Sequence, residues 1–235
     1  MTRSRRARFS VALCMALLSA LLLALGVWQL QRLQWKTALI NQVEAHVHAA
    51  PAAAPAASRW PGLSREQDEY RHLRLDGSFV DQGATLVQAS TVLGPGYWLL
   101  TPFRSDDGTT VLVNRGFIAE RTAAPAGGQH ASITGLLRMS ERGKPLLRDN
   151  DPAAGRWYTR NVQAIAAARG LSPVAPYFLD QDATPSAAPG APTGGLTVIA
   201  FNNNHLVYAI TWFALSLMAA AGCALVARSG QGTTS

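Results

Sequence analysis

The residues of this chain best suited to chemistry lie at the start of its last apolar run. Residues 202–213 read N-N-N-H-L-V-Y-A-I-T-W-F, and His205 stands where polar chain enters an apolar helix. Histidine can ligate a metal, ligate a heme iron or carry a proton. His205, Tyr208 and Trp212 are spaced i, i+3 and i+7, which predicts that they share one helix face. The alternative interpretation is a polar and aromatic belt at a membrane interface.

The local sequence favours a neutral imidazole at His205. The asparagines at 202–204 can supply an N-cap, which places His205 in the first helical turn. There the positive end of the helix dipole disfavours the imidazolium. A neutral imidazole beside an apolar surface is the form that ligates a heme iron. The pattern indicates a ligand histidine without identifying the group that it binds.

Two uncharged runs must position these side chains. Residues 9–30 and 206–227 each comprise 22 residues without a charge. As helices they would be about 33 Å long at about 1.5 Å per residue, which is enough to cross a bilayer. A signal peptide would have a shorter apolar region and a small-x-small cleavage site, and a buried core helix seldom stays apolar on all sides. We therefore predict two transmembrane helices.

The distribution of charge predicts the topology. Arginines precede the first run at positions 3, 5, 6 and 8, and Arg228 follows the second, so both ends should be cytoplasmic. The predicted segments are a cytoplasmic N-terminus at 1–8, transmembrane helices at 9–30 and 206–227, a periplasmic domain at 31–205 and a cytoplasmic C-terminus at 228–235. These arginines supply most of the net charge of +7. The basic balance thus reflects topology, and we predict no nucleic-acid partner.

Alternating apolar and polar residues in the exported segment indicate short strands. The predicted architecture is an integral membrane protein whose two transmembrane α-helices flank a mostly antiparallel β (α+β) extracytoplasmic domain. One small helix is predicted at 161–169, with loops in the Ala/Pro-rich segments 49–58 and 183–195. The strands are predicted at 70–80, 85–89, 96–104, 109–119, 133–139, 176–180 and 197–201.

This domain carries no pattern typical of an enzyme. It lacks the nucleophile-elbow, zinc-protease, C-x-x-C and phosphate-loop motifs. The cysteines, Cys14 and Cys223, lie within the apolar runs, so neither is available for a thiolate site in the domain. His46 and His48 are spaced two apart, as in some metal sites on strands, but their Ala/Pro-rich surroundings are typical of a loop and do not favour a metal site. The other candidates are interpreted as solvated histidines (His72, His130) and as turn carboxylates that bond local backbone (Asp106, Asp107, Asp149, Asp151). We therefore predict that the protein is not an enzyme.

Small residues recur every four positions in both apolar runs and predict close helix packing. They are Ala12, Ala16, Ala20 and Ala24 in the first run and Ser216, Ala220 and Ala224 in the second. Trp28, Arg32 and Lys36 continue the first row toward the outer edge. One interpretation of these three is interfacial anchoring and snorkelling. The other is that Arg32 pairs with an acidic group of a ligand.

Several segments together resemble the surfeit locus protein 1 family of cytochrome c oxidase assembly factors. Two departures are Phe117, where the family usually has Trp, and Asn202, where many members carry a basic residue. The segments follow the family order and span nearly the whole chain. They are L-G-V-W-Q-L-Q-R-L-Q-W-K at 25–36, G-Y-W-L-L-T-P-F at 96–103, V-L-V-N-R-G-F-I at 111–118, R-W-Y-T at 156–159, P-Y-F-L-D at 176–180 and N-N-H-L-V-Y-A-I-T-W-F at 203–213.

The resemblance implies an assembly factor in the inner membrane of a bacterium, which helps deliver or insert heme a into the catalytic subunit of a heme-copper oxidase. It implies His205 as the axial ligand of the heme iron and makes heme a synthase a further candidate partner, beside membrane lipid. Tyr208 and Trp212 would then contact the macrocycle, Arg32 and Lys36 would neutralise the propionates, and Trp28 is a further candidate cofactor-binding residue. Two alternatives are a tethered scaffold that stabilises an oxidase subunit without heme, and a tethered periplasmic hydrolase.

Overall fold

The computed structural model describes residues 3–121, 128–141, 143, 148–184, 190–197, 199, 201 and 203–229. They form two compact units, one within the ranges Met1–Gln42 and Ala200–Ser235 and the other within Val43–Ile199. The helices are α1 (Arg3–His48), α2 (Arg65–Asp68), α3 (Val162–Arg169) and α4 (His205–Arg228), with a 3-10 turn at Ala57–Gly62. The strands are β1 (Ala52–Ala53), β2 (His72–Phe79), β3 (Thr85–Thr91), β4 (Gly94–Ser105), β5 (Thr110–Ile118), β6 (His130–Met139) and β7 (Val174–Gln181).

Helices α1 and α4 each contain an apolar stretch long enough to cross a membrane. The prediction of two apolar helices flanking a β-rich domain is therefore confirmed. Helix α1 is longer than the apolar run at 9–30, because good helix formers such as Gln, Leu and Lys continue through the polar residues that follow. The first helix breaker is Pro51, three residues past the end of α1.

Helices α1 and α4 pack antiparallel along most of their apolar length. The hydroxyls of Ser19 and Ser216 lie 3.1 Å apart, and the Cys223 thiol donates to the Ala12 carbonyl at 3.2 Å. Gly26 lies so close to Phe213 that an added Cβ would come within 2.5 Å of the ring. A glycine at this position therefore sets the spacing of the two helices.

The prediction that these rows of small residues form the contact between the two helices is wrong for most of the residues. Ala16, Ala20 and Ala24 are exposed, as are Ala220 and Ala224, whereas Ser216 is buried. A row at every fourth residue drifts about 40° per step around a helix of 3.6 residues per turn, so it leaves the contact face. The covered residues of α1 instead alternate steps of three and four, which keeps them on one side. They include Ala12, Met15, Ser19, Leu22, Gly26, Gln29, Leu33 and Lys36.

The second unit is a sheet that closes on itself. Its order is β1-β2-β6-β7-β5-β4-β3, and an extra pairing between β2 and β4 joins the ends of a five-stranded ring. The long strand β4 makes this possible, because its first part pairs with β3 and its last three residues pair with β2. All neighbours are antiparallel except β1 with β2 and β5 with β7. The predicted mostly antiparallel β domain is confirmed, but its closure into a ring was not predicted.

Two apolar cores lie on opposite faces of the central strands. Leu73, Phe103 and Tyr177 belong to the cluster that fills the ring. Trp157 and Ile165 belong to a second cluster, which α3 covers from outside. Strands β5 and β7 alternate between the clusters, as Val111, Leu112 and Val113 and then Tyr177, Phe178 and Leu179. Both faces of these strands are therefore buried, which explains their continuous apolar sequence.

Six of the seven predicted strands and the helix at 161–169 are confirmed, with ends that differ by a few residues. Asn161 caps α3 by accepting from the Ala164 amide, and Gly170 ends it in the left-handed conformation. The predicted strand at 197–201 is not observed at 197, 199 and 201, and positions 198 and 200 lie outside the described residues. The segment 49–58, predicted as a loop, contributes β1 and begins the 3-10 turn, and the prediction of a single helix missed α2.

Candidate functional site

Helix α4 begins at His205, as the sequence predicts. The carbonyl of Asn204 accepts from the Tyr208 amide at 3.3 Å, so Asn204 occupies the N-cap position. Its side chain makes no capping hydrogen bond, so the predicted side-chain cap is wrong for Asn204, and Asn202 lies outside the described residues. His205 therefore stands in the first turn of α4, close to amide groups that α-helical bonding leaves unpaired.

A side chain of α1 fixes the orientation of the His205 ring. The Nδ1–H of His205 donates to Oε1 of Gln29 at 2.8 Å. An amide oxygen can only accept, so Nδ1 carries a proton, and in the neutral imidazole the lone pair then lies on Nε2. Histidines that ligate metals commonly donate their second ring N–H to a carbonyl in this way. The arrangement can therefore present Nε2 as a ligand.

Gln29 is a site residue that the prediction missed. It lies within the segment that resembles the family, but its neighbours Trp28 and Arg32 carried the interpretation. The signal that identifies it is the alternating three- and four-residue spacing of the covered face of α1. In that row Gln29 is the polar side chain between the glycine at 26 and the cation at 36. A half-buried amide in an apolar helix contact is stabilised by a hydrogen-bond partner, and His205 supplies it.

A groove of about 390 Å³ opens beside this hydrogen bond. It is lined by Gln29, Lys36, Asn204, His205 and Tyr208. Three of the six predicted site residues, His205, Tyr208 and Lys36, therefore meet at one place. The groove combines an imidazole, a phenol and an ammonium group, a set that suits a ligand with an acidic edge and an electron-accepting centre.

The other three predicted site residues do not line this groove. Trp28 is exposed, and the guanidinium of Arg32 lies 4.3 Å from the centre of the Trp35 ring. Both belong to the drifting four-residue row, which is turned away from α4 at 28 and 32 and returns to the covered face at Lys36. Trp212 is half-buried and shares the face of His205, but seven residues separate them by about 10 Å along the helix axis.

The histidines of the second unit make structural contacts. His46 and His48 lie in the last turn of α1, not in an Ala/Pro-rich loop, and residues two apart on a helix do not face each other. His130 is exposed beside Asp106, as predicted. His72 corrects the prediction of a solvated side chain, because it contacts both the Ala49 carbonyl and the Asp182 carboxylate. Among the described residues, no three His, Cys, Asp or Glu side chains cluster as a metal site.

The cluster around Asp182 does not have the geometry of a hydrolase. His72 contacts Oδ2 of Asp182 at 2.8 Å, and the Thr134 hydroxyl donates to the same oxygen at 2.6 Å. The carboxylate thus lies between the imidazole and the hydroxyl. A nucleophile-base pair needs the imidazole next to the hydroxyl. This cluster therefore joins strands β2 and β6 to the segment after β7, and it does not activate Thr134.

The predicted turn carboxylates are confirmed at two positions. Asp107 accepts from the Thr109 amide at 2.9 Å, and Asp151 accepts from the Ala154 amide at 3.0 Å. The hydroxyl and amide of Thr109 lower the pKa of Asp107, and bonds from Arg156 and Ala154 lower that of Asp151. Asp106 departs from this pattern, because its carboxylate pairs with the His130 ring. These contacts explain the carboxylates without acid or base catalysis.

Two of the segments that resemble the family meet in a buried ionic network. Asn114 and Asp180 are register partners on β5 and β7, and the Asn114 amide donates to Asp180 at 2.8 Å. Arg138 donates to the same carboxylate at 2.8 Å and Arg160 at 3.1 Å. Asp180 also accepts from the Thr197 hydroxyl. Its two oxygens therefore receive four hydrogen bonds, which compensates for the burial of the charge.

The charge of one outer acid of this network, Glu141, is stabilised by Arg160. Burial opposes ionisation of Glu141, but the charge and hydrogen bonds of Arg160 outweigh it and lower the pKa of the carboxyl. Burial likewise opposes the charge on Arg138, and the carboxylates of Asp180 and Glu69 raise its pKa. The network lines a cavity of about 420 Å³ together with Trp98 and Leu196. Because its charges pair with one another, its geometry is that of a structural cross-link between strands.

Comparison with known proteins extends the resemblance over most of the chain. The model of the SURF1 family matches residues 16–217. The mouse Surfeit locus protein 1 is 33% identical over 85% of this chain and 70% of its own length. The human Surfeit locus protein 1 is 32% identical over 82% of this chain and 69% of its own. A SURF1-like protein of Monosiga brevicollis is 33% identical over 88% and 83%.

Proposed function

The chain belongs to the SURF1 family, and from that membership we propose that it is an assembly factor for a heme-copper oxidase of the cytochrome c type and not an enzyme. Its proposed partner is the catalytic subunit of the oxidase. We further propose that it carries heme a to this subunit, with heme a synthase as the supplier. The absence of a nucleophile-base pair in the Asp182 cluster supports the non-enzymatic part of the proposal.

One observation carries the heme proposal. In the neutral ring, the hydrogen bond from His205 to Gln29 leaves the lone pair on Nε2, and His205 lines the same groove as Lys36 and Tyr208. This donor set fits a heme, because an imidazole nitrogen is a common axial ligand of heme iron and an ammonium group pairs with propionates. Heme a would bring the iron centre that the oxidase needs. His205 would hold it, Lys36 would pair with its acidic edge, and Tyr208 would contact the ring.

Trp28, Arg32 and Trp212 keep secondary parts in this proposal. Trp28 and Arg32 are exposed on α1, so their contacts would be made at the rim, where the heme leaves the groove. Trp212 lies deeper on the His205 face and would contact the apolar ring edge. A single axial bond from the protein suits a carrier, because a heme held on one axial side can be transferred without breaking a second bond.

The experiment that tests heme binding compares histidine variants of the purified protein. The protein, His205→Ala and the control His130→Ala are isolated from cells that make heme a, and their absorption spectra are recorded. His130 is a suitable control because it is exposed and far along the sequence from α4. We expect a heme spectrum in the protein and in His130→Ala, with a large loss in His205→Ala. Equal heme in all three would reject His205 as the ligand, and heme in none would favour a scaffold.

The proposed location is the inner membrane of a bacterium, crossed by α1 and α4 with both termini in the cytoplasm. The support is the two apolar helices together with the arginines at the outer ends of both. A reporter that is active only in the periplasm, fused after Asp149, should be active. Activity of a cytoplasmic reporter at the same position would contradict this topology.

The assembly role is tested by deletion. Loss of the protein should lower oxidase activity and the heme a signal of the membrane, while the oxidase subunits are still inserted. Normal oxidase spectra after deletion, at both low and high supplies of copper and heme, would contradict the assembly role.

A further inference from the structure

The turn between β3 and β4 exposes two aliphatic side chains. Thr91 and Gly94 are the last paired residues of the two strands, so Val92 and Leu93 form a two-residue connection. Val92 is 87% exposed and Leu93 is 55% exposed. Within the described part of residues 43–199, no other large hydrophobic side chain is exposed. In its described part, the β unit thus leaves large apolar side chains exposed only at this tip.

The geometry of the turn does not explain these residues. Two-residue hairpin turns favour Asn, Asp and Gly, because these residues accept positive φ angles. Val92 and Leu93 are not among the described residues with positive φ, and the turn is held instead by Thr91, whose hydroxyl accepts from the Leu93 amide at 3.1 Å. A β-branched residue and a leucine at a solvent-facing turn break the local rule, and such violations are expected at functional or strained sites.

The sequence around the tip is also without charge. Residues 82–103 contain no Asp, Glu, Lys, Arg or His. The next hairpin, between β4 and β5, turns through Asp106, Asp107 and Gly108, with Asp107 bonded to Thr109. One hairpin of the same sheet therefore ends in a polar turn and the other in an apolar, uncharged one.

We propose that the turn at 91–94 inserts Val92 and Leu93 into the surface of the lipid bilayer that holds α1 and α4. The inference rests on the membrane placement proposed above. Two side chains at a protruding tip are far fewer than the roughly 20–30 residues a side of a stable protein interface. A lipid surface needs no such complementary patch, since removal of aliphatic side chains from water is favourable by itself.

Two further features favour lipid as the partner. The β unit is joined at both ends to the membrane helices, and this tether raises the effective concentration of the lipid surface for any exposed apolar side chain of the unit. The uncharged stretch means that the turn brings no ionised side chain toward the hydrocarbon, where a charge is costly. Hydrogen bonds of the Thr91 hydroxyl already hold the turn, so insertion of both side chains does not carry the entropy cost of ordering a loop.

The test places one fluorescent probe at three positions of the full chain. In a Cys14→Ala, Cys223→Ser background, single cysteines are introduced as Val92→Cys, Asp107→Cys and Leu217→Cys and labelled with an environment-sensitive dye. Serine at 223 keeps the donor to the Ala12 carbonyl. Leu217 is 73% exposed within the apolar part of α4 and reports on the helix, and Asp107 is the matched polar turn. Each protein is reconstituted in phosphatidylcholine vesicles with and without lipids that carry a nitroxide on the acyl chain.

We expect lipid quenching at positions 92 and 217, with quenching at 92 several-fold stronger than at 107. Quenching at 217 together with equally weak quenching at 92 and 107 would overturn the inference and leave the membrane placement intact. Weak quenching at 217 would overturn the membrane placement and the inference with it. Protection of position 92 from aqueous iodide without lipid quenching would identify a protein contact at the tip, which also overturns the inference.

Discussion

At the scale of single residues, Gln29 decides which nitrogen of His205 is available. Loss of a group that orients a metal-bound histidine typically weakens binding about 10- to 100-fold. We therefore expect Gln29→Leu to lower the affinity for heme by that order while the two helices stay paired. Heme titration of the purified protein measures it, with Gln31→Leu as control because Gln31 is exposed on the same helix. An equal loss in both variants would show that the hydrogen bond to His205 has no part in binding.

Asp180 is the residue whose loss should most destabilise the β unit. Its side chain is 6% exposed and bridges Arg138 and Arg160. Asp180→Ala would leave two buried guanidinium groups without their shared partner, which costs roughly 3–5 kcal/mol in comparable cases. Denaturant unfolding followed by tryptophan fluorescence measures the change. The control is Asp151→Ala, an exposed partner of Arg156, which should change stability little. Similar effects of both variants would contradict the proposed bridging role.

We expect Glu141 to contribute to the loss of stability of the domain at acid pH. Burial disfavours its charged form, yet Arg160 holds the pKa below the ordinary value of 4.5. A carboxyl whose pKa is lower in the folded state than in the unfolded state stabilises the fold at pH values above the unfolded-state pKa. This stabilisation is lost as the pH falls through the folded-state pKa. We expect Glu141→Gln to lower stability near pH 7 and to flatten its decline below about pH 4.5. The unfolding midpoint against pH tests this, and a slope of Glu141→Gln equal to that of the parent would contradict it.

At the scale of elements, the contact between α1 and α4 depends on Gly26. An added Cβ would lie 2.5 Å from the Phe213 ring, so Gly26→Ala should push the helices apart and lower the thermal midpoint of the protein in detergent. Phe213→Ala removes the ring and should rescue much of the loss in the double variant, a coupling that only residues in contact show. Additive losses would place the two residues in separate environments.

The sequence predicted the strands well, because alternation of apolar and polar residues is a local property. It did not predict the ring. Closure depends on β4 being long enough to pair with β3 and then with β2, and the length of a pairing partner is not visible in the strand itself. At the site, the prediction placed His205, Tyr208 and Lys36 together and missed Gln29. The predicted row takes every fourth residue of α1, whereas the residues that pack against α4 are spaced by alternating steps of three and four.

At the scale of the whole molecule, the division into two units predicts that the β unit folds independently of the apolar helices. Residues 43–199 contain both apolar cores and the buried ionic network. We expect this segment to fold alone, with a near-ultraviolet circular dichroism spectrum of fixed aromatic side chains and a single cooperative unfolding transition. A spectrum without such signals would mean that the β unit needs the helices for its packing.

The position of β7 between β5 and β6 has a consequence for how the chain is made. Strand β7 is the last to be synthesised, yet it lies in the middle of the sheet. From the end of β6 at Met139 to the start of β7 at Val174, the growing chain carries two unpaired strand edges. At roughly 5–20 residues per second, this state lasts a few seconds. Exposed edges invite pairing with other chains, so a nascent chain in this interval is a natural client for chaperones, and a premature stop before residue 174 would release a product prone to aggregate.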